Sequence, residues 1–550
     1  MGPTILQDED FDRIPLSTTR FSELRALNQI YVDKTQLIYK IARQRSPVYL
    51  TRPRRFGKSL LLSTFDSLFS KGLEDFKGLS IEKLWTENKT YPVAKFSFAN
   101  YRVSSISDFN EDFCQSIVRE FTDFLPHPEK LNRTSATGPN SLLEECLKQL
   151  TGSSVVILID EYDSPLTHTL DEPELNKQIV SYLGAFFNTL KDYKDSCRFI
   201  FITGITRIAH VSLFSTFNNL NEITLDDDYS SILGITESEL HNYFDSYVEN
   251  AASVLEISKD EVYERLKLRY NGNRFSVHAN ESVYNLWSVL SFLSKPHNGF
   301  ENYWYQSSAG TPTLLINYLK DAGLAKQFSE LSESEELLYV TISELKAKSE
   351  ATQIPMNLLL QQTGYYTLQY NSEADVLLAY PNEEVEESIF NLKRDLYNLK
   401  LTSKTNRCML AIPEYVDAAD IESLKTVFNK IIIESITPDS GIFNREVDIR
   451  NLIYISIPDS VIYKSRETVN AFGFADMQLV TRKTKLVIEF KRSYKTEKTT
   501  VTEDQALDSG LKQLKEKHYS EGISDKKLIR VAIVISQEKR ALTKWQILNE

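Results

Sequence analysis

The sequence predicts a multidomain α/β protein, and three observations lead to that fold class. The chain has 550 residues, which at typical domain sizes corresponds to about three domains. Through about residue 235, short apolar runs alternate with helical stretches, as in the βαβ units of a parallel sheet. After about residue 413 the pattern becomes helices, three strands, a helix and a strand. We therefore expect domains at 1–235, 236–400 and 413–550, the middle one a helical lid with a small α/β module.

The first strand of the predicted parallel sheet leads into a basic turn and then into a helix, within residues 48–65. At the turn stand Gly57, Lys58 and Ser59, the GK[ST] core of a phosphate-binding loop (P-loop). In such a loop glycine lets backbone N–H groups approach phosphate, lysine reaches the β- and γ-phosphates, and serine binds Mg²⁺. Arg52 replaces the first glycine of the full GxxxxGK[ST] motif, and Pro53 follows it. The stretch predicts a nucleotide-binding loop that departs from the motif at its start.

A second apolar strand, residues 155–159, ends in Asp160 and Glu161. In a phosphate-loop enzyme the first of these carboxylates would bind Mg²⁺ through water, and the second would polarise the attacking water. The next buried strand, residues 199–203, leads to Arg207, which we interpret as a residue that reaches the γ-phosphate. The alternative for Arg207 is an ordinary surface arginine. ATP and Mg²⁺ are the ligands that this region predicts.

Near the carboxyl end, two predicted strands bring charged residues together. Residues 473–479 alternate around Asp476, and residues 485–491 form the next strand. Period-two alternation places Glu489 and Lys491 on one face, and the twelve residues between Asp476 and Glu489 are about a hairpin's length. Two close carboxylates repel unless a divalent cation lies between them. A lysine beside them orients or deprotonates water, or stabilises the charge on a phosphate. The pattern D-x₁₂-E-x-K predicts a metal-dependent nuclease site that binds Mg²⁺ or Mn²⁺.

Short motifs follow one another in order along nearly the whole chain. They are YVDKT (31–35), RPRRFGKS (52–59), LIDEYDSPL (158–166), TGITRI (203–208), FSTFNNL (214–220), YNG (270–272), TGYYTL (363–368) and PNEEV (381–385). These motifs resemble the AAA-ATPase-like family that is fused to a PD-(D/E)xK nuclease domain. In that family RPRRFGKS is the usual loop, so the missing glycine is typical of it. The resemblance implies a P-loop NTPase domain with a parallel sheet, and a carboxy-terminal nuclease domain with an αβββαβ core.

The order of elements in the nuclease core indicates further site residues. The helix expected over residues 443–454 carries Glu446, the predicted additional metal ligand, and Glu467 on the following strand is its rival. QLKEKHY (513–519) resembles the glutamine-containing helix of the family, which implies that Gln513 helps to orient the site. Basic residues near the site either suit a phosphodiester backbone or form an ordinary solvated face. They are Lys483, Lys485, Arg492, Lys495 and Lys498.

Other conspicuous residues have structural interpretations. The acidic run from 383 to 387 is expected to be a solvated surface. The four cysteines are widely spaced, which favours reduced thiols over a zinc site. A group of aromatic residues has helical spacing and is expected to pack in a core. They are Tyr270, Phe275, Tyr284, Trp287, Tyr303, Trp304 and Tyr305.

The composition limits the class of protein. A hydrophobic content of 41% and a charged content of 25% are those of a soluble globular chain. No apolar run approaches the roughly 18 residues of a membrane span, and the first 20 residues lack the features of a signal peptide. The net charge of −13 argues against a uniformly basic nucleic-acid coat but not against a local basic channel. We expect a cytoplasmic protein without a membrane partner, and delivery into a host cell as an effector is the alternative.

Together these features predict an ATP-binding, metal-dependent nuclease that hydrolyses phosphodiester bonds of nucleic acid, with DNA as the expected substrate. ATP binding or hydrolysis is expected to gate the activity. The alternative is an ATP-dependent switch or binding protein, an effector or mobile-element adaptor, whose nuclease-like domain serves recognition. The complete set of Asp476, Glu489 and Lys491 disfavours that alternative, because a retired site need not retain all three residue types. The sequence leaves a homo-oligomer open.

Overall fold

The computed structural model describes the chain in segments that are separated by gaps. They are residues 8–131, 138–150, 154–207, 220–279, 281–306, 315–316, 318–319, 328, 338–347, 354–370, 375–396, 403–435, 446–457, 462–465, 468–470, 473–481, 483–496, 499–516 and 526–548. The chain divides into two compact units, Met1–His297 with Asn302–Glu386, and Asn298–Glu301 with Glu387–Glu550. The first unit contains the predicted ATPase-like segment and most of the predicted lid and module. The domain boundaries at 235 and 413 stay predictions.

A five-stranded parallel sheet forms the centre of the first unit. Its strands are β1 (Val48–Thr51), β2 (Val93–Ser97), β3 (Val155–Asp160), β4 (Cys197–Gly204) and β5 (Asn221–Glu222). Their order is β2-β3-β4-β1-β5, and every pairing is parallel. Strands β1, β3 and β4 are buried almost throughout, which explains their continuous apolar sequences. The carboxyl ends of β1 and β3 lie at one edge of the sheet, where ligands of open α/β sheets bind. The predicted α/β fold class is confirmed.

Helices connect these strands and follow them. They are α1 (Asp8–Phe11), α2 (Phe21–Ala26), α3 (Thr35–Ala42), α4 (Lys58–Lys71), α5 (Ile106–Phe121), α6 (Pro139–Gln149), α7 (Ser164–His168), α8 (Pro173–Asp192), α9 (Glu237–Leu255), α10 (Lys259–Tyr270), α11 (Leu286–Ser294) and α12 (Tyr303–Gln306). Helix α4 packs on the sheet through Phe65 and Phe69, whose rings each lie 5.0 Å from the ring of Phe199 on β4. Because these rings are buried, they hold the start of α4 at the edge of the sheet.

A small module completes the first unit. It consists of β6 (Leu338–Thr341), α13 (Ile342–Lys346), α14 (Met356–Thr363), β7 (Thr367–Tyr370) and β8 (Asp375–Ala379), and its antiparallel sheet has the order β6-β8-β7. Gly364 ends α14 with a φ of 94°. A Cβ atom at Gly364 would lie 2.7 Å from the Cβ of Pro53. The module therefore packs directly against the turn that follows β1, and only glycine permits this approach.

The acidic run at 383–387 corrects one sequence-based expectation. It opens α15 (Glu383–Leu396), and Glu384 is only 1% exposed. The carboxylate of Glu384 accepts hydrogen bonds from the backbone N–H of Trp304 at 2.9 Å and from the hydroxyl of Ser288 at 2.8 Å. The expectation of a solvated surface is wrong for Glu384, because this carboxylate satisfies two buried donors.

The second unit contains a mixed sheet with the strand order β16-β15-β13-β12-β9. Its helices are α16 (Ser403–Met409), α17 (Ile412–Ala418), α18 (Ile421–Ser435), α19 (Glu446–Ser456) and α20 (Glu503–Glu516). Its strands are β9 (Tyr463–Ser465), β10 (Thr468–Asn470), β11 (Gly473–Ala475), β12 (Met477–Val480), β13 (Thr484–Lys495), β14 (Thr500–Val501), β15 (Lys527–Ser536) and β16 (Ala541–Ile547). Strands β13 and β15 are parallel, and the other neighbours in the sheet are antiparallel. The order α19, β9, β12, β13, α20, β15 confirms the predicted αβββαβ core, and β16 extends it.

The two faces of β13 have different neighbours. Ile488 and Phe490 belong to a buried cluster that includes Ile453 of α19. Val487 packs instead with Leu514 of α20. This alternation places Glu489 and Lys491 on the same face as Val487.

Candidate functional sites

The turn between β1 and α4 contains two residues with left-handed backbone conformations. Gly57 caps α4 with a φ of 100°, and Arg55 has a φ of 71°. The Nζ of Lys58 donates to the carbonyl oxygens of Arg52 and Pro53, at 2.8 Å each. Burial lowers the pKa of Lys58 to about 8, although nearby carboxylates oppose that shift. The lysine therefore remains cationic at neutral pH and lies at the start of a helix, where anions bind.

The predicted acidic partner lies beside this loop. The hydroxyl of Ser59 donates to Oδ2 of Asp160 at 2.8 Å. Burial and the charge of Glu161 raise the pKa of Asp160 to about 6. The other oxygen, Oδ1, is buried and accepts no hydrogen bond from any described residue. The structure thus brings Ser59 and Asp160 together and leaves one carboxylate oxygen that fits a cation.

A cavity of about 700 Å³ opens next to the loop. Cationic side chains dominate its charge, because Lys34, Arg54, Arg55 and Lys58 line it while Glu161 is the one carboxylate among its described lining residues. Apolar side chains line another part of it, namely Ile38, Leu233, Phe244, Leu286, Trp287 and Leu290. A wall that is partly cationic and partly apolar suits a ligand with a polyanionic part and a flat apolar part. Trp287, which the sequence assigned to core packing, instead lines this cavity.

Arg52, which stands in place of the first glycine of the motif, is buried and hydrogen-bonded to the backbone. Its side chain is 1% exposed and donates to the carbonyl oxygens of Thr51 at 2.9 Å, Thr224 at 2.7 Å and Tyr229 at 3.2 Å. Its guanidinium carbon also lies 4.4 Å from the centre of the Phe275 ring. Burial lowers the pKa of Arg52 to about 9, so the group stays protonated at neutral pH. Through these hydrogen bonds the arginine connects the end of β1 to the segment after β5. The sequence analysis did not predict this role.

Arg207 follows the end of β4, and its side chain contacts groups outside the phosphate loop. Its Nε lies 2.8 Å from Oε1 of Glu222, and its guanidinium also donates to the carbonyl oxygens of Leu345 and Lys346. Its backbone N–H donates to Oε1 of Gln362 at 2.7 Å. These contacts connect the sheet to the small module, and the predicted contact of Arg207 with a γ-phosphate stays a prediction.

In the second unit, the structure brings the predicted carboxy-terminal residues together. Met477 of β12 pairs with Ile488 of β13, so Asp476 comes opposite Glu489. The Nζ of Lys491 donates to Oε1 of Glu489 at 2.8 Å. The same Nζ lies 3.6 Å from Oε1 of Glu446 at the start of α19. Three carboxylates and one ammonium therefore share one site.

Arg450 also lies at this site, a role that the sequence analysis did not predict. It lies one turn after Glu446 on α19, and its Nη1 is 2.9 Å from Oδ1 of Asp476. The other oxygen of Asp476 accepts from the backbone N–H of Phe490 at 2.8 Å. The sequence did contain a signal for this role, because Arg450 follows the predicted ligand Glu446 by four positions and so shares its helix face.

Burial determines the electrostatics of the carboxylates. Glu489 is 0% exposed, and burial together with the charge of Asp476 raises its pKa to about 7, against the effect of Lys491. Burial also raises the pKa of Glu446, although Lys491 lowers it. Burial alone would lower the pKa of Lys491, but Glu446 and Glu489 outweigh it and raise that pKa. The site therefore contains a stable ammonium and carboxylates that need further positive charge.

One observation tests whether the site fits a metal ion. Oε2 of Glu489 is buried and accepts no hydrogen bond from any described residue. A buried carboxylate oxygen without a donor is costly unless a cation meets it. Glu489 and Asp476 therefore fit a divalent cation by chemistry. Within the described segments, however, no group of three or more His, Cys, Asp or Glu side chains is arranged to hold a metal ion.

Comparisons with known proteins match two parts of the chain to described families. Residues 15–214 match the family described as "Predicted AAA-ATPase", and residues 444–545 match the "PD-(D/E)XK nuclease superfamily". The chain thus contains one segment that is similar to AAA-ATPase domains and another that is similar to the PD-(D/E)XK nuclease superfamily. The phosphate loop and Asp160 fall in the first match, and Glu446, Asp476, Glu489 and Lys491 fall in the second.

Two individual proteins are similar to this chain. A protein of Azotobacter chroococcum mcd 1, named "Uncharacterized protein in vnfD 5'region", is 28% identical over 386 residues, which cover 68% of this chain and 69% of that protein. The structure of the Aeropyrum pernix ORC1 protein in complex with DNA has a TM-score of 0.23 and 9% identity, and covers 70% of this chain and 98% of that chain. Among the described helices, none is long and apolar enough to cross a bilayer.

In the segment that matches the PD-(D/E)XK nuclease superfamily, α20 packs against Lys491. A Cβ atom at Gly510 would lie 3.3 Å from Cγ of Lys491 and 3.1 Å from Cβ of Ala532. Gln513 follows on the same helix, one turn later, and is half-buried. The predicted orienting role of Gln513 stays a prediction.

Some predicted residues carry no structural description. Glu467 and Lys498 lie outside the described residues, and so do most of the FSTFNNL motif and the end of QLKEKHY. Of the other basic residues near the site, Lys483 and Lys495 are exposed, and the guanidinium of Arg492 lies 4.6 Å from the centre of the Tyr494 ring. Their contact with nucleic acid stays a prediction.

Proposed function

We propose that this protein is a nucleotide-gated, metal-dependent nuclease that hydrolyses phosphodiester bonds of DNA. The AAA-ATPase-like domain would bind ATP with Mg²⁺, and the PD-(D/E)XK domain would cleave. The observation that carries the proposal is the site in which Asp476, Glu489 and Lys491 meet, with one buried oxygen of Glu489 left for a cation.

The side chains of the cleavage site divide the work. Asp476 and Glu489 would bind a divalent cation, and the ion would stabilise negative charge on the scissile phosphate. Glu446 lies beside Lys491, and its role as a further metal ligand stays a prediction. Because Glu446 and Glu489 raise the pKa of Lys491, this lysine acts as an ammonium that donates a hydrogen bond. It would orient the attacking water or the phosphate oxygen rather than remove a proton. The backbone N–H of Phe490 and the guanidinium of Arg450 both donate to the carboxylate of Asp476 and hold it in place.

The nucleotide part of the proposal is supported by the cavity beside the loop. Four cationic residues line it against one carboxylate among the described residues, in a chain whose net charge is −13. Such a local field favours a triphosphate. Lys58 and Ser59 would meet the phosphates and the Mg²⁺ ion, and Asp160 offers its buried Oδ1 to that ion.

A cleavage assay tests the proposal. Supercoiled plasmid and single-stranded RNA are each incubated with protein and Mg²⁺ or Mn²⁺, with and without ATP. We expect metal-dependent cleavage of the plasmid that Lys491→Ala reduces by about 10²- to 10³-fold, the usual cost of a lost donor in such a site. The matched control is Ser509→Ala, an exposed position on α20, which is expected to cleave like the wild type. Equal cleavage by Lys491→Ala and wild type would reject the assigned site.

One observation favours a second candidate function. The carboxylates of Asp476 and Glu489 already have cationic partners, Arg450 for Asp476 and Lys491 for Glu489. Ion pairs of this kind also suit a retired nuclease fold that recognises nucleic acid under the control of ATP. Absence of cleavage by the wild type with metal and ATP, together with retained DNA binding in a gel-shift assay, would favour this switch protein.

A further inference from the structure

The two oxygens of the Asp476 carboxylate are held by partners of different kinds. Oδ2 accepts a hydrogen bond from the backbone N–H of Phe490 at 2.8 Å, and Oδ1 accepts one from Nη1 of Arg450 at 2.9 Å. The backbone of Phe490 is fixed, because β13 pairs with β12 on one side and with β15 on the other. Arg450 holds its oxygen through a long side chain with many rotamers. Arg450 is therefore the partner that can leave Asp476 without disturbing the sheet.

A divalent cation bound by Asp476 and Glu489 would meet the charge of Arg450. The two carboxylates come opposite each other on β12 and β13, and the buried Oε2 of Glu489 accepts no hydrogen bond from any described residue. An ion that also binds Asp476 would share this carboxylate with the guanidinium. The side chains of Arg450 and Asp476 are only 10% and 15% exposed, so water screens the repulsion between the two positive charges weakly. Binding of the ion and retention of the Arg450 contact therefore oppose each other.

The carboxylates of this site are arranged around side-chain cations. Among the residues whose positions the structure describes, no three His, Cys, Asp or Glu side chains are arranged to hold a metal ion. Asp476 contacts Arg450 instead, and Glu489 contacts Lys491. Without the guanidinium, the neighbouring carboxylates would repel each other more strongly in the metal-free protein. Arg450 thus stabilises the metal-free site and, by the same charge, opposes the ion.

A guanidinium that leaves Asp476 would have another carboxylate within reach. Arg450 lies one turn after Glu446 on α19, a spacing at which opposite charges on a helix attract each other. The Nζ of Lys491 lies 3.6 Å from Glu446, compared with 2.8 Å from Glu489, so Glu446 has the more distant ammonium. Movement of the guanidinium from Asp476 toward Glu446 would need a change of rotamer and no change in the backbone.

We propose that Arg450 competes with the divalent metal ion for the carboxylate of Asp476 and thereby limits the affinity of the site for the ion. This inference rests on the proposed metal-dependent nuclease site. Arg450 is a positioning residue in the metal-free protein, where it holds Asp476 ready, and the ion replaces it on binding. The ion pair at Asp476 then belongs to a working site, in contrast to the retired fold considered above.

The test measures the dissociation constant of Mn²⁺ for the full chain without nucleotide, by electron paramagnetic resonance. The binding that Glu489→Gln removes defines this site, because the phosphate loop is a second place for an ion. In Arg450→Met, Mn²⁺ is expected to bind at least about tenfold more tightly, since no hydrogen bond between charged groups has to break. The melting temperature of the metal-free variant is expected to fall, and Mn²⁺ is expected to raise it by more than in the wild type.

A second variant keeps the test valid if Arg450→Met does not fold. Arg450→Lys retains a cation but replaces the planar guanidinium with a single ammonium, which holds a carboxylate less firmly. Its Mn²⁺ affinity is expected to be about threefold tighter than that of the wild type. The matched control is Lys512→Met, which removes a positive charge from α20 at a side chain that is 73% exposed. Because water screens that charge, the Mn²⁺ affinity of the control is expected to change less than about twofold.

The possible outcomes separate this inference from the proposed function. Weaker or unchanged Mn²⁺ binding in the Arg450 variants would show that the arginine only holds Asp476 in place, and would overturn the inference. Equal tightening in Lys512→Met would show a general effect of charge, with the same consequence. Both results leave the proposed function intact, since the wild type still binds the ion. A wild type without Mn²⁺ binding that depends on Glu489 overturns the metal-dependent part of the proposed function and this inference with it.

Discussion

The two sites contain the same element in opposite surroundings. In each, one buried carboxylate oxygen, Oδ1 of Asp160 or Oε2 of Glu489, accepts no hydrogen bond from any described residue. Around the loop the described cavity wall carries four cations and one carboxylate. Around Glu489, three carboxylates meet two cations.

The difference shows what each site is prepared to receive. A wall with excess positive charge favours a polyanion, and the acid beside it then needs only the cation that accompanies that polyanion. A cluster with excess negative charge favours a cation first, and it binds a phosphodiester only through that cation. The predictions that follow test this contrast, beginning with the largest expected effect.

The largest effect is expected at Glu489. Glu489→Gln keeps the shape of the side chain but removes the charge that would bind the cation. We expect plasmid cleavage to fall by about 10³-fold, because the cation supplies most of the charge stabilisation in such a reaction. Binding of Mn²⁺, followed by electron paramagnetic resonance, is expected to weaken in parallel. Full Mn²⁺ affinity in this variant would place the ion elsewhere and break the contrast.

The next effect concerns the cationic site. Arg52→Met removes three donors and leaves the carbonyl oxygens of Thr224 and Tyr229 buried without their partner. We expect a loss of about 3 kcal/mol in the free energy of unfolding of the first unit. Amide hydrogen exchange at Thr51 measures this loss of stability, since the backbone N–H of Thr51 donates a hydrogen bond to the hydroxyl of Thr224. Exchange as slow as in the wild type would contradict the structural role of Arg52.

A third prediction concerns pH. In metal-free buffer the pKa of Glu489 is about 7 in the folded protein and near 4.5 in the unfolded chain. Between these values the folded state binds more protons, so the free energy of unfolding falls as pH rises through this window. This loss is expected to be absent in Glu489→Gln, which has no carboxyl group to titrate. Denaturant titrations of both proteins at pH 4.5 and 7.5 measure the difference, and parallel profiles would contradict the buried, unneutralised acid.

The smallest effect is expected on α20. Gly510→Ala raises helix propensity by up to about 1 kcal/mol, but the new Cβ would crowd Lys491. We expect unchanged or slightly higher stability together with about tenfold slower cleavage, because small displacements of a catalytic group are costly. Mn²⁺ affinity is expected to stay at the wild-type value, which separates a moved lysine from a damaged metal site. The control Ser509→Ala also gains helix propensity but adds no contact with Lys491. Cleavage lowered equally in both variants would contradict the idea that crowding of Lys491 slows the reaction.

Local pattern was sufficient to predict one part of each site. The order Gly57, Lys58, Ser59 and the acid at the end of β3 follow from the chemistry of phosphate binding, and the structure brings Ser59 and Asp160 together. Period-two alternation was enough to place Glu489 beside Lys491. Both depend on residues that are close in sequence or on adjacent strands.

The remaining parts depend on distant partners that no local pattern encodes. Arg52 binds the carbonyls of residues 172 and 177 positions later, so its burial follows from tertiary packing. Glu384 is buried because it meets donors 96 and 80 positions earlier, at Ser288 and Trp304. Trp287 has the spacing of a core residue, and only the position of α11 against the loop exposes it to the cavity.

Pro53 in the phosphate loop has a consequence for how the nucleotide is attracted. Proline has no N–H, and the carbonyl of Pro53 is turned toward Lys58. The loop thus offers one backbone donor fewer than a glycine at that position would, so charged side chains supply more of the attraction. Because ions in solution screen the more exposed of these charges, nucleotide affinity is expected to decline with rising ionic strength.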